Sequence, residues 1–487
     1  MHKDEVKPDS TGDWRRWLAL IPLGLGTLIV ALDSTVLNIS LPSIRKDLGF
    51  DENSLTWVVN AYVLAYGSLL LLSGRLADIY GPRKLFRWGI VLFTIASLVC
   101  GVASTQTVLI LGRLLQGIGG SVMTAVSLTL AVSLFSATAE RTKAIATIGF
   151  VGVIGGSVGL VVGGVVTSML GWHWVFLLNG PIGVLVYVAC VALLPVTGAP
   201  SETQRVDIWG AVTVTASLLT ALYTVSSAGR LGFITVRTLG LLGCSLVLLV
   251  AFLLIEMRVS VPLMPLHIFK KRSLVVANVV CVLSSAAAAP WSYLTTLYMG
   301  GVLGYGPLRI SLVFLPSSIV GAVFALGLSA KLVSELGVRW SVGGGLLLGA
   351  LGLVLFAVVT GTGATMQELL LCMILVGIGA GVGFNALSVA VLTDVPTSEA
   401  GLASGIVNTT SLMGGAIGLA ILASVASSHT GGLLAAGAKN GAAMAGSYRI
   451  AFLAGAACVS VAALLGATFL RSKVPDGDRE SSAVVQT

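Results

Sequence analysis

The chain has 487 residues, 56% of them hydrophobic and 10% charged, with 60 glycines and a formal net charge of +8. Soluble domains carry about 25% charged residues, and disorder requires low hydrophobicity, so composition excludes both a soluble globular protein and a disordered one. What remains is a chain whose solvent is mostly lipid.

Runs of about 20 apolar residues recur from Trp17 almost to the C-terminus, each long enough to cross ~30 Å of hydrocarbon. No small-residue cleavage site follows the first run, which reads as a retained helix rather than a signal peptide. The runs predict fourteen helices, over 17–41, 55–74, 86–104, 107–134, 143–168, 173–194, 207–227, 235–255, 273–299, 307–330, 340–360, 366–391, 402–428 and 448–470. Residues 1–16 and 471–487 read as cytoplasmic tails. The connections are too short to hold a soluble catalytic or ligand-binding module.

Orientation follows from the basic residues. With the N-terminus inside, 20 of the 28 lysines and arginines fall on the cytoplasmic side, 7 fall outside, and Arg113 stays in the membrane. The positive charge is therefore a topology signal, and no nucleic-acid partner is expected. Both termini are placed in the cytoplasm, in a multi-pass inner (plasma) membrane protein. The six cysteines stand singly in apolar runs without metal or redox spacing and read as small core residues.

In helix 1, Asp33 follows Leu-Ile-Val-Ala-Leu and is the only carboxylate well inside an expected span. Ionisable residues at membrane depth are functional candidates by default. Burial penalises the charged form of a carboxylate, so Asp33 can load and release a proton as its exposure alternates. It can equally attract a cationic substrate, or be satisfied by the hydroxyls of Ser34 and Thr35.

Helices 2 and 3 are joined by Gly74-Arg75-Leu76-Ala77-Asp78-Ile79-Tyr80-Gly81-Pro82-Arg83-Lys84. Gly81-Pro82 makes the tight turn. Asp78 can bind a partner helix N-terminus, where the dipole favours an anion, and so latch one conformation. An ordinary basic topogenic loop is the alternative.

In helix 4, Gln116, Gly117 and Gly120 share a face with Arg113 at i+3, i+4 and i+7. Arginine stays protonated, so Arg113 modulates a proton site rather than being one, unless it merely snorkels to the membrane edge. Helix 5 carries Gly155, Gly159 and Gly163 at four-residue spacing with Gly164 beside them, a face that lets helices approach closely or slide. Asn38, Tyr62, Gln116, Trp291, Tyr293, Asn385 and Asn408 are candidate cavity residues.

The chain repeats itself. Leu72, Ser73, Leu76, Gly81 and Arg83 recur at an offset of 256 as Leu328, Ser329, Leu332, Gly337 and Arg339. Glu140, Gly155, Gly156 and Gly159 recur at an offset of 259 as Glu399, Gly414, Gly415 and Gly418. The repeat divides the chain into two six-helix bundles, 17–194 and 273–470, with two inserted helices over 207–255. Parallel six-helix repeats fit a transporter that rocks around a midplane site. No metal cluster, nucleophile–base pair or Walker phosphate loop is visible, so no cofactor and no enzymatic activity are expected.

Together these residues resemble the fourteen-spanner drug:proton antiporters of the major facilitator superfamily. Leu32-Asp-Ser-Thr-Val-Leu-Asn38 looks like that family's L-D-x-T-V-V-N motif, and Trp57 to Asp78 like its W-x-x-x-x-Y second helix running into the superfamily loop. Arg113-Leu-Leu-Gln-Gly-Ile-Gly119 matches R-x-x-Q-G-x-G, and Gly171-Trp-His-Trp-Val-Phe-Leu-Leu-Asn-Gly-Pro-Ile-Gly183 resembles G-W-R-W-x-F-x-x-N-x-P-x-G. The resemblance implies the superfamily's all-α fold and a monomeric exporter of small hydrophobic, often cationic, drugs or antibiotics in exchange for protons. Asp33 and Arg113 would then be the proton-coupling residues, and Asp78 with Arg83 the gating loop. Helix 5 looks like the antiporter signature G-x-x-x-G-P-x-x-G-G, but with Leu160 where proline is usual. His173 and Ser411 stand where the family has arginine. A dedicated exporter of one metabolite, antibiotic or lipid, and a non-transporting membrane sensor, are the alternatives.

Overall fold

The computed structural model describes residues 14, 16–135, 138–194, 207–231, 235–259, 271–392 and 400–470. Among these residues every regular element is helical. Eleven helices are long and apolar enough to cross a membrane, and three shorter apolar helices, Ser54–Leu70, Trp209–Val225 and Pro307–Val323, complete fourteen.

The first half contains α1 (Leu20–Leu48), α2 (Glu52–Tyr80), α3 (Pro82–Gly101), α4 (Gln106–Leu134), α5 (Thr138–Met169) and α6 (His173–Leu193), the last made of two pieces that meet at Leu178. The inserted pair is α7 (Ile208–Leu231) and α8 (Val236–Glu256). The second half contains α9 (Arg272–Gly301), α10 (Pro307–Val323), α11 (Ser329–Val359), α12 (Met366–Leu392), α13 (Ala400–Ala435) and α14 (Asn440–Phe469).

Several helices run past the expected membrane edges, because hydrophobic thickness limits the apolar run and not the helix. Thus α1 extends to Leu48, where Gly49 closes it in the left-handed region at φ 65°, a common helix stop. Arg45 and Lys46 lie in that last turn, where the helix dipole favours cations. The expected loop from Gly74 to Lys84 shrinks to one residue. Helix α2 continues to Tyr80, Pro82 starts α3, and Gly81 alone turns the chain at φ 83°. Its counterpart in the repeat, Gly337, adopts φ 82° inside α11. Helix α10 ends in a π-helical turn, Phe324–Leu328.

Within the first half α1 packs on α5, α4 and α6, and α4 packs on α2 and α3. In the second half α9 packs on α13 and α14, and α12 on α10 and α11. The halves meet along two seams, α5 against α10 and α2 against α13. Helix α7 lies over the second seam, touching both α2 and α13, and α8 packs on α7. The pair is joined by reciprocal bonds: Ser217 Oγ donates to the Ser245 carbonyl (2.8 Å) and Ser245 Oγ to the Ser217 carbonyl (3.0 Å). The outward face of α8 is exposed and apolar, with Leu239, Leu246, Val247 and Leu254, as a lipid-facing surface requires.

The halves are not equally close at both ends. Where α1 ends, one hydrophobic cluster crosses between them, joining Leu41, Ile44 and Phe50 to Tyr298, Met299, Ile310 and Phe314. A side chain at Gly300 would come within 2.8 Å of Pro42 there. At the opposite end each half has its own cluster, one around Ala19, Phe86 and Phe135, the other around Leu274, Val338 and Leu470.

Candidate functional site

Asp33 is 2% exposed and Arg113 1%, so both ionisable groups sit deep in the first bundle and Arg113 does not snorkel. Arg113 Nη1 donates to Asp33 Oδ2 at 2.5 Å. Gln116 Nε2 and Asn179 Nδ2 donate to the other carboxylate oxygen at 2.6 and 3.1 Å. Both amides also donate to Ser97 Oγ, at 2.7 and 3.3 Å. Arg113 Nη1 reaches Gln116 Oε1 at 2.7 Å, and its Nε donates to the Val58 carbonyl at 3.1 Å. Two helices besides α1 thus bond the carboxylate, α4 through Arg113 and Gln116 and α6 through Asn179, and two more join the same network through those partners, α2 through the Val58 carbonyl and α3 through Ser97.

A buried ion pair is tolerable only when hydrogen bonds satisfy its remaining valences, and this one is nearly saturated. The guanidinium carbon also lies 4.2 Å from the Tyr62 ring centre. On its far side the carboxylate borders a crevice of about 40 Å³ lined by Val36, Val162, Val166 and Asn179. That space admits on the order of one water molecule.

The glycines explain how the helices approach so closely. On α4, a Cβ at Gly117 would collide with the Tyr62 carbonyl, and one at Gly119 would lie 2.6 Å from the Phe93 backbone. The α5 glycines seat the turns of α1 on either side of Asp33. Gly155 faces Leu28 and Ala31, Gly159 faces Leu32 and Thr35, and Gly163 faces Val36. Gly164 instead faces Ser311 on α10, across the seam. Leu160 is buried, and α5 runs unbroken from Thr138 to Met169.

Arg83 Nη2 donates to the Val191 carbonyl of α6 at 2.9 Å. Lys84 is exposed, and Gly74 is half-buried on α2. The side chains of Arg75 and Asp78 lie outside the described residues.

The expected cavity residues disperse. Gln116 belongs to the carboxylate cluster and Tyr62 to its cation. Tyr293 is 1% exposed in the shared apolar cluster, and Asn38 is half-buried on α1. Asn385 Nδ2 donates to the Ala325 carbonyl at 2.6 Å, and Asn408 is exposed. Trp291 lines a cavity of about 140 Å³, shared with Ser284, Val376, Gly379 and Phe384. A larger cavity of about 260 Å³ adjoins it through Ala288 and Phe384, and is bordered by Val59, Asn60 and Val63 of α2 and by Ser285, Ser411 and Gly415 of the second half. Ser285 and Ser411 hydroxyls are 2.6 Å apart. Among the described residues, Trp291 Nε1 is buried without a hydrogen-bond partner.

Sequence reasoning gave no role to Ser97 or Asn179. Asn179 stood in the Gly171–Gly183 motif, and its signal was an amide in an otherwise apolar run. Ser97 carried no such signal, because serine is common in membrane helices.

The family model described as Major Facilitator Superfamily matches residues 23–419. The chain is 35% identical over 416 residues to the cephamycin export protein CmcT of Amycolatopsis lactamdurans, covering 85% of this chain and 86% of that protein. It is 33% identical over 479 residues to the puromycin resistance protein pur8 of Streptomyces alboniger, covering 97% of this chain and 95% of that one. Among solved structures, the POT family transporter PepTSo superposes with a TM-score of 0.69 at 15% identity, over 97% of this chain and 99% of that one.

Proposed function

This chain belongs to the major facilitator superfamily, a family of transporters and not of enzymes, and from that premise we infer that it is a proton-coupled exporter of small hydrophobic, often cationic, organic molecules. The observation that carries the reading is the buried Asp33–Arg113 pair, 2.5 Å apart in a bundle core. It is a proton site whose two states differ in charge where charge is most costly.

With Asp33 ionised, the pair and its amide partners clamp α1 to α4 and α6. A proton on Asp33 leaves the buried guanidinium uncompensated, and breaking such a pair costs about 3–5 kcal/mol. The clamped arrangement then gives way to one in which Arg113 is better solvated, and the halves rock. Loss of the proton on the other side restores the clamp. A gradient of ~150 mV at about 2.3 kcal/mol per 100 mV supports roughly a 300-fold concentration ratio per proton.

Sidedness comes from the basic residues, which put both termini in the cytoplasm and the shared apolar cluster at the external face. The arrangement described is then the inward-facing one, in the inner (plasma) membrane. Two six-helix units, 17–194 and 273–470, rock about each other in a monomer. The 207–255 pair is an accessory to both, and Gly81 with Arg83 braces the cytoplasmic end of the first. Substrate occupies the adjoining cavities that Trp291, Phe384, Ser285 and Ser411 border.

Efflux from cells or inverted vesicles tests the reading. Asp33→Asn is expected to remain folded in the membrane while its efflux no longer follows the pH gradient. Unchanged gradient dependence in that variant would remove Asp33 from the proton path. A second reading, a dedicated exporter of one antibiotic, draws support from the relatives' names, which cite cephamycin and puromycin singly. A substrate panel separates the two, since a dedicated exporter ignores most dyes and biocides.

A further inference from the structure

Between the carboxylate and the larger cavity lies one turn of α2. On one face of that turn the Val58 carbonyl accepts from Arg113 Nε (3.1 Å), and the Tyr62 ring lies 4.2 Å from the guanidinium carbon. On the other face Val59, Asn60 and Val63 line the cavity of about 260 Å³. At ~100° per residue the two sets point about 130° apart, so one rigid turn presents the charge to one side and the cavity to the other.

The turn is held tightly. Gly117 leaves room for its Tyr62 carbonyl, and a Cβ at Gly120 would lie 3.0 Å from the Tyr62 hydroxyl. Tyr62 stacks on Tyr66 at 5.6 Å, and the Tyr66 hydroxyl donates to Thr124 Oγ1 at 3.1 Å. The ring is thereby fixed between α4 and its own helix.

We propose that Tyr62 is a positioning residue that passes the charge state of Asp33 to the substrate cavity by moving the Val58–Val63 turn. The proposal rests on the reading of Asp33 as the proton site and of this cavity as the substrate site. When Asp33 takes a proton, Arg113 loses its carboxylate; of its four remaining partners Gln116 lies on its own helix and the Phe176 ring is 5.9 Å away, while the two others, the Val58 carbonyl and the Tyr62 ring, belong to this turn. A desolvated cation is drawn to an aromatic face, and the Val58 hydrogen bond adds to that, so a shift of the guanidinium pulls on the turn. Displacement of the turn reshapes the wall formed by Val59, Asn60 and Val63. Linkage makes the effect reciprocal, so a substrate pressing on that wall alters the proton affinity of Asp33 by the same factor.

The experiment measures binding of ethidium to the purified full-length protein at two pH values and compares the ratio within each variant, so that a general loss of affinity cancels. In the wild type, ethidium should bind about tenfold more weakly near pH ~5.5 than near pH ~8, within the usual range of coupling. Tyr62→Leu should reduce that ratio to about twofold or less, and Tyr62→Phe, which keeps the ring over the cation, should retain it. A Tyr62→Leu protein that keeps the full ratio would overturn the proposal, as would loss of the ratio in Tyr62→Phe. Asp33→Asn separates the premises: if it too keeps the ratio, the proton-site reading fails, whereas a ratio lost in Asp33→Asn but kept in Tyr62→Leu sinks only the role of α2.

Discussion

The two halves share a skeleton and differ in what fills it. Gly117 on α4 faces the Tyr62 carbonyl of α2, and Gly377 on α12 faces the Ser317 carbonyl of α10. Gly119 faces the Phe93 backbone, and Gly379 faces the Gly349 backbone. Gly155 and Gly159 lie against Leu28 and Leu32 of α1, and Gly414 and Gly418 against Val282 and Ala286 of α9. Carrying this register through places Ala287 where the first half has Asp33, Met373 where it has Arg113, and Val376 where it has Gln116. Ala287 and Met373 are buried and apolar, and Val376 lines the cavity of about 140 Å³. The glycine contacts recur because both bundles need closely packed helices. The ion pair does not recur, so packing cannot be its reason.

The comparison can be broken most forcefully by importing the second half's residues into the first. Arg113→Met strands a buried carboxylate and should cost about 3–5 kcal/mol of stability, whereas Asp33→Ala with Arg113→Met replaces the pair by apolar groups and should recover most of that loss. Thermal unfolding in detergent reads both, and vesicle efflux should be uncoupled from protons in both. A single variant as stable as the wild type would mean that the carboxylate is hydrated or protonated in place.

A smaller effect tests the shared skeleton. At Gly159 a Cβ meets the Thr35 hydroxyl, with the Leu32 backbone at 3.3 Å, but at Gly418 it meets the backbone of Ala286 directly. A hydroxyl can rotate away and a backbone cannot. Gly159→Ala should therefore cost about 1 kcal/mol and Gly418→Ala nearer 3 kcal/mol, within the usual range for overpacking. Gly152→Ala, which meets only Thr27 at 3.5 Å, is the control and should fold normally. Equal gains at all three sites would show that α5 and α13 respond to helix propensity alone, which favours alanine over glycine, and not to their partners.

Much of this organisation was legible in the sequence, for a physical reason. Lipid imposes long apolar helices, so span number and the 256-residue repeat lie on the surface of the text. A charge at membrane depth is costly enough that Asp33 and Arg113 stood out before any contact was known. What stayed hidden depended on rotation about helix axes. Helices α1 and α9 have almost no apolar asymmetry, because lipid and bundle core are both apolar, so periodicity does not reveal which face turns inward. Tyr62 therefore looked like a cavity residue when its ring lies on Arg113, and nothing in the sequence singled out Val59 and Val63, which do border the cavity. Ser97 and Asn179 were missed for the same reason, since their meaning lies in which helices they face.

The smallest expected effects sharpen the boundary of the cavity. Asn385 spends its amide on the Ala325 carbonyl in the π-helical turn, so Asn385→Ala should cost about 1 kcal/mol of stability, the usual worth of one hydrogen bond. Asn408 is exposed on α13, so Asn408→Ala should change stability by less than about 0.5 kcal/mol. Neither residue borders the two cavities, so neither change should move the ethidium affinity by more than about twofold, in contrast to Ser411→Ala, which opens the 2.6 Å hydroxyl pair on the cavity wall. A tenfold loss on changing Asn408 would place the substrate lower along α13, nearer the end where the halves stand apart. The α2 turn would then be too far from the substrate to carry the proton's signal.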